Sequence, residues 1–223
     1  MLFAFFYNIL RIKYKIIKGK KERRKKVRRT LKPSQFLSKA EVQVLANTVE
    51  DKAVLDAAKG RVVWSRIWMM IHLALESGLR VSELRNVKIK DLYLKGEPFV
   101  HVPNGKGDKA RDVLISGKLK RHLKKYIQAY GLKDDDYLLN VNGRPYTNMG
   151  LQMQFKRAAK AAGLSHVYSI HSLRHTFGTY LYEQEKDLRM VQNQLGHEDV
   201  STTAIYAGVA KERTYSAVNG MYS

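Results

Sequence analysis

His171-Ser172-Leu173-Arg174-His175-Thr176 places three polar side chains, His171, Arg174 and His175, on one face of a helix, because positions i, i+3 and i+4 are neighbours there. Histidines at i and i+4 also match a zinc-type spacing. Arg174 between them would repel a cation, and no HExxH glutamate is present to act as base. Two imidazoles and a guanidinium suit an anion better, and phosphate is the natural candidate. Gly78-Leu79-Arg80-Val81-Ser82-Glu83-Leu84 has a glycine that ends a buried helix and an arginine at the start of the next. Glu83 lies at i+3 from Arg80 and can brace its guanidinium, although alone the pair reads as a surface ion pair. In Leu195-Gly196-His197-Glu198-Asp199-Val200-Ser201-Thr202-Thr203, Gly196 closes one helix and Ser201 or Thr202 can cap the next, which fixes His197 in a tight joint. Tyr206 follows within the first turns of that last helix. Lys106 stands between Gly105 and Gly107, so its ammonium can swing toward a bound phosphate.

These residues need a frame, and the hydrophobic pattern supplies a mainly helical one with a small antiparallel sheet. Ser38-Lys39-Ala40-Glu41 is a capping box, followed by Val42, Val44, Leu45 and Val49 at helical spacing. A wide apolar face at Val63, Ile67, Met70, Ile71, Leu73, Ala74 and Leu75 predicts a buried helix from Arg61 to Glu76, and Val81 to Val87 reads as a short one. Phe99-Val100-His101-Val102 and Arg111-Asp112-Val113-Leu114-Ile115 are β-rich around a Pro-Asn-Gly-Lys-Gly-Asp cluster, a hairpin signal. Further helices are expected at 117–129, 149–162, 171–185, 188–195 and from 201 to near 218.

The chain has 223 residues with 41 Lys and Arg against 20 Asp and Glu, a formal charge of +21. Thirteen of the basic residues and one acid, Glu22, fall between Arg11 and Lys32. Lys20, Lys21, Arg23, Arg24, Lys25, Lys26, Arg28 and Arg29 crowd a stretch that has almost no apolar residue to pack. Residues 1–33 therefore read as a basic arm with an apolar tip, and 34–223 as the folded domain. The arm's expected partner is a polyanion, nucleic acid ahead of acidic lipid. Cysteine is absent, which removes disulfides, thiolate metal sites and cysteine nucleophiles. No apolar run reaches the roughly 18 residues of a membrane span. The apolar start MLFAFFYNIL precedes the charges rather than following them, opposite to a secretory signal. It remains open as a packing helix, a surface anchor or an upstream start.

Taken in order, Arg…Lys…His-x-x-Arg…His…Tyr, with GLRVSEL, NGKGDKAR, HSLRHT, LGHEDVSTT and TAIY, the chain resembles the tyrosine recombinases, which include phage-type integrases and chromosome-dimer-resolution recombinases. The likeness runs from about Phe36 to Gly208. It implies that Tyr206 attacks DNA to leave a 3′-phosphotyrosine, and that Arg80, Arg174 and His197 hold the non-bridging phosphate oxygens. It further implies that His171 is the general base and Lys106 the general acid, that Glu83 orients the active-site helix, and that His175 is structural or supporting. No metal, cofactor or ATP is expected, because the covalent link conserves the phosphodiester energy. The resemblance also implies four protomers on two DNA duplexes, a tail near Ala217–Tyr222 that docks on a neighbour, an accessory protein as a further candidate partner, and DNA-associated work in the cytoplasm. Only 33 residues precede the domain, so the family's amino-terminal clamp domain is expected to be missing or reduced to the arm, with the arm replacing it weakly, a partner supplying it, or the protein being a minimal or decayed recombinase. Rival readings are a type IB topoisomerase-like nicking-closing enzyme and an inert DNA-binding protein that keeps the fold.

Overall fold

The structure is a computed structural model that describes residues 35–103, 110–197 and 203–207. The basic arm, the Lys106 turn, the caps at Ser201 and Thr202 and the tail lie outside the described residues.

Helix α1 (Lys39–Ala58) begins at the expected capping box: Ser38 Oγ accepts from the Glu41 backbone, and Ser38 N–H donates to Glu41 Oε2 at 2.8 Å. Its partner α2 (Val63–Ser77) is the spine of the domain. Ile67, Met69, Met70, Ile71 and Leu73 are all buried, so this helix is apolar almost all round. It stops at Gly78, which takes the left-handed conformation (φ 62°) that a side chain would resist. The next helix, α3 (Val81–Asn86), starts only three residues later.

A three-stranded antiparallel sheet follows, with β1 (Leu92–Tyr93), β2 (Phe99–Val102) and β3 (Arg111–Leu114) in spatial order 1-2-3. The β2–β3 pairing, Val100 opposite Val113 and Val102 opposite Arg111, is the expected hairpin. Leu92, Val100, Val102 and Val113 turn inward. Helix α4 (Gly117–Tyr130), capped by Ser116, closes over α2. A short 3-10 turn at Ile89–Asp91 and three strands were not anticipated: β1, and β4 (Asn140–Val141) with β5 (Arg144–Pro145), which form a second hairpin. The latter turns on Asn142-Gly143, both at positive φ (53° and 77°), the backbone of a type I′ turn.

The remaining helices are α5 (Asn148–Ala161), α6 (Ile170–Glu185), α7 (Leu188–Leu195) and a turn at 203–207. The entry to α6 is held from several sides. The Ile170 N–H donates to Gln152 Oε1 of α5, and Lys156 Nζ donates to the Tyr168 carbonyl. Farther along, Thr176 Oγ1 accepts from the Leu37 N–H, and the Tyr180 hydroxyl donates to the Leu37 carbonyl. Most apolar side chains form one core around α2, and a smaller cluster of Phe36, Val191, Leu195 and Tyr206 forms between α6 and α7. No helix among the described residues is long and apolar enough to cross a membrane.

Candidate active site

Helix ends leave carbonyls without partners, and a cation is favoured where they gather. Here the carboxyl-terminal ends of α2 and α7 meet, and two arginines use them. Arg174, on α6 and only 8% exposed, donates from Nη1 to the Gly78 carbonyl and from Nη2 to the Leu195 carbonyl at 2.8 Å. Arg80 occupies the extended position just before α3 and donates from Nη2 to the Gly196 carbonyl at 2.6 Å. Burial, then the like charge of Arg80, lowers the Arg174 pKa to about 10, so it stays cationic at neutral pH. Two guanidiniums are thus fixed side by side by backbone acceptors, an arrangement that stabilises charge added to a phosphate.

Glu83 lies beneath them. Its Oε2 accepts from the Arg80 N–H and its Oε1 from Arg80 Nη1, both at 2.8 Å, so the i+3 brace expected from the sequence is present but buried rather than on the surface. A residue given no role from sequence completes the group: Arg111, at the start of β3, donates from Nη1 and Nη2 to the two oxygens of Glu83, each at 2.9 Å. Burial pushes the Glu83 carboxyl up, but the hydrogen bonds from Arg111 and the Arg80 backbone, with the adjacent positive charge, outweigh it and hold the pKa at about 2. A signal for Arg111 existed in the sequence. It shares strand parity with Val113 and Ile115 and therefore points to the buried side, where a guanidinium needs a partner.

The histidines and the tyrosine approach from α6, α7 and the 203–207 turn. Gly196 ends α7 at φ 65°, and the His197 N–H donates to the Gln192 carbonyl at 3.1 Å. His197 Nδ1 lies 2.9 Å from Thr203 Oγ1, and with that hydroxyl donating, the neutral ring carries its proton on Nε2. Burial, then Arg174 and Arg80, lowers the His197 pKa to about 4. The Tyr206 ring lies parallel to that of His197, with centroids 6.3 Å apart, and at the same distance from His175. It spans α6 where Gly178 leaves room: a Cβ there would sit 2.6 Å from Tyr206 Cζ. Tyr206 is 1% exposed, and burial raises its phenol to about 12 against the lowering effect of Arg174 and Arg80. The phenol is therefore protonated at neutral pH, and to serve as a nucleophile it would need a base. His175 is lowered to about 4 by burial, then by Arg174 and His171, and among the described residues its buried Nδ1 has no hydrogen-bond partner. His171 is exposed on the first turn of α6, one turn before Arg174 and His175.

Of the sequence-predicted site residues, Arg80, Glu83, Arg174, His175, His197 and Tyr206 converge, and His171 stands at their rim. Lys106 and the arm residues Lys20–Arg29 fall outside the described residues. Thr203, like Arg111, was missed, because nothing in its local pattern marks a hydroxyl as the partner of a histidine six residues earlier. Among the described residues no cluster of three or more His, Cys, Asp or Glu is arranged to hold a metal ion.

The phage integrase family profile matches residues 35–213. The chain is 35% identical over 183 residues to the tyrosine recombinase XerC of Staphylococcus carnosus, covering 80% of this chain and 58% of that protein. It is 38% identical over 151 residues to the tyrosine recombinase XerD of Oceanobacillus iheyensis, covering 65% and 50%. The crystal structure of the XerH site-specific recombinase in a post-cleavage complex with palindromic difH substrate matches with TM-score 0.69 at 28% identity, over 84% of this chain and 53% of that one. The fold is thus that of a tyrosine-recombinase catalytic domain. The chain belongs to the phage integrase family, and it spans about half the length of the curated relatives it matches.

Proposed function

We propose that the protein is a site-specific DNA strand transferase that cuts and rejoins duplex DNA through a phosphotyrosine, without metal or ATP. The observation that carries this reading is the seat of Tyr206. Its phenol lies in its own subunit, between two neutral imidazoles and within electrostatic reach of Arg174 and Arg80. In the reaction, the Tyr206 oxygen bonds to the scissile phosphorus as the bond to the 5′ oxygen breaks. His171 takes the phenol proton, and Lys106 supplies one to the departing 5′ oxygen. Arg80 and Arg174 hold the non-bridging oxygens as charge builds, with His197 donating to the same group. Glu83 fixes Arg80, and His175 supports the packing of Tyr206. Religation by a 5′ hydroxyl from a second duplex completes an exchange.

Within this reading, residues 34–223 form the catalytic domain. The arm, through Lys20, Lys21, Arg23, Arg24, Lys25, Lys26, Arg28 and Arg29, tracks DNA phosphates. Four protomers assemble on two duplexes in the cytoplasm and pass through a Holliday junction. The test is a nicked suicide duplex whose 5′ end diffuses away after cleavage. A covalent protein–DNA adduct that vanishes in Tyr206→Phe is the expected result. Binding with no adduct would leave only a DNA-binding scaffold, whereas adduct formation with supercoil relaxation and no two-site exchange would indicate a nicking-closing enzyme.

A further inference from the structure

Arg111 has no assigned part in this chemistry, yet its side chain is almost as enclosed as that of Glu83, 13% against 6% exposed. It does two things at once. Its forked donors occupy both oxygens of Glu83 at 2.9 Å. Its shaft and head also cover the bare Cα of Gly196: a Cβ there would lie 2.6 Å from Arg111 Nε, 2.7 Å from Cζ and 2.8 Å from Cδ. The other side of Gly196 presents its carbonyl to Arg80 Nη2 at 2.6 Å, and the next residue is His197. One glycine is therefore gripped by two arginines that share one carboxylate.

We propose that Arg111 is a positioning residue of the strand-transfer site: by forking Glu83 and lying across Gly196, it sets where Arg80 and His197 present their donors to the phosphate. This rests on the strand-transfer reading above. The charge balance gives the reason. With Arg111 present, Glu83 is shared by two guanidiniums and Arg80 keeps donors for an incoming anion. Without it, the carboxylate turns wholly to Arg80, neutralises it and lets it move inward. Lysine cannot replace this grip, because it is a point charge with no planar fork.

The experiment compares the full-length protein with its Arg111→Gln and Arg111→Lys variants in single-turnover cleavage of the suicide duplex, at saturating DNA and across pH. The expected loss in Arg111→Gln is about a hundredfold, the size of effect that follows a displacement of about an ångström at a reacting centre. A purely structural role would not move the second readout. Without the Arg111 donors, burial drives the Glu83 carboxyl up, so the ratio of variant to wild-type rate falls further toward the acid end of the range, a comparison in which the histidine titration shared by both proteins cancels. Arg111→Lys keeps the charge and most of the stem, serves as the test if the glutamine variant fails to fold, and is expected to fall between wild type and Arg111→Gln. Folded variants with the wild-type rate and pH profile overturn the proposal, as does a deficit that disappears when DNA is raised. A wild-type adduct with unaffected variants removes Arg111 alone, whereas no wild-type adduct removes the strand-transfer reading and this proposal together.

Discussion

Gly196 holds φ at 65°, places its carbonyl 2.6 Å from Arg80 Nη2 and leaves its Cα bare beneath the Arg111 guanidinium. Gly196→Ala meets both a strained backbone and a side chain that must give way. The expected loss is about 2 kcal/mol, in the usual range for overpacking, read as a lowered thermal midpoint together with slower suicide-duplex cleavage at temperatures where the variant is folded. An unchanged midpoint would mean that Arg111 moves aside freely. The two half-buried histidines give a second expectation. His175 and His197 have folded pKa values near 4, well below the ordinary 6.5. Their contribution to stability is complete above about pH 6.5 and is lost as pH falls toward 4, because the unfolded chain binds protons that the folded one refuses. For His175 the slope is at most about 1.4 kcal/mol per pH unit, and for His197, which is more open to solvent, less. Thermal melts between pH 7 and 4.5 should show this decline, and His175→Gln should flatten it. A wild-type midpoint that stays level over the range would contradict the assignment of both rings as neutral. Tyr206 acts in the opposite window. Its raised phenol pKa costs nothing below about pH 10 and destabilises only as pH climbs toward 12.

Helix α7 and strand β3 are joined by one side chain: Gln194 Nε2 donates to the Leu114 carbonyl at 2.6 Å, and its Oε1 accepts from the Leu114 N–H at 3.3 Å. Since β3 lies at the sheet edge, Gln194 supplies what a fourth strand would have supplied. Gln194→Ala is therefore expected to cost about 1 kcal/mol and to speed amide exchange at Leu114, leaving α1 and α2 unchanged. Equal protection at Leu114 in both proteins would show that the edge is held otherwise. The helices were legible because their apolar faces recur at helical spacing and because Ser38–Glu41, Gly78 and Gly196 punctuate them. The β2–β3 hairpin was legible from alternation around a glycine-rich turn. β1 is two residues long and carries no periodicity to detect. The β4–β5 hairpin was signalled by Asn142-Gly143, which its very short strands obscured. The site was legible where chemistry sits in local motifs, at Arg80–Glu83 and His171–His175. Arg111 and Thr203 act through contacts 28 residues (to Glu83) and six residues (to His197) away in the chain. Such pairings become visible only when the strand and the helix end are brought together.

Charge is distributed along this chain with a strong bias. The stretch between Arg11 and Lys32 has a net +12, and the remainder about +9 despite being far longer. On the proposed strand-transfer reading, local cations of the folded domain hold one phosphate, and the excess in the amino-terminal stretch serves long-range, sequence-independent attraction. Each phosphate neutralised by a lysine or arginine releases condensed counterions, which makes affinity fall steeply with salt. Replacing the eight basic residues between Lys20 and Arg29 by glutamine in the full-length protein is therefore expected to weaken DNA binding most at low salt. The slope of log affinity against log salt should flatten by up to about seven, from eight contacts at about 0.9 each. Single-turnover cleavage at saturating DNA should change little, because Arg80, Arg174, His197 and Tyr206 are untouched. Two results would break this division of labour. An unchanged salt slope would place the arm away from DNA, and a lost cleavage rate at saturation would show that the arm shapes the site as well as feeding it.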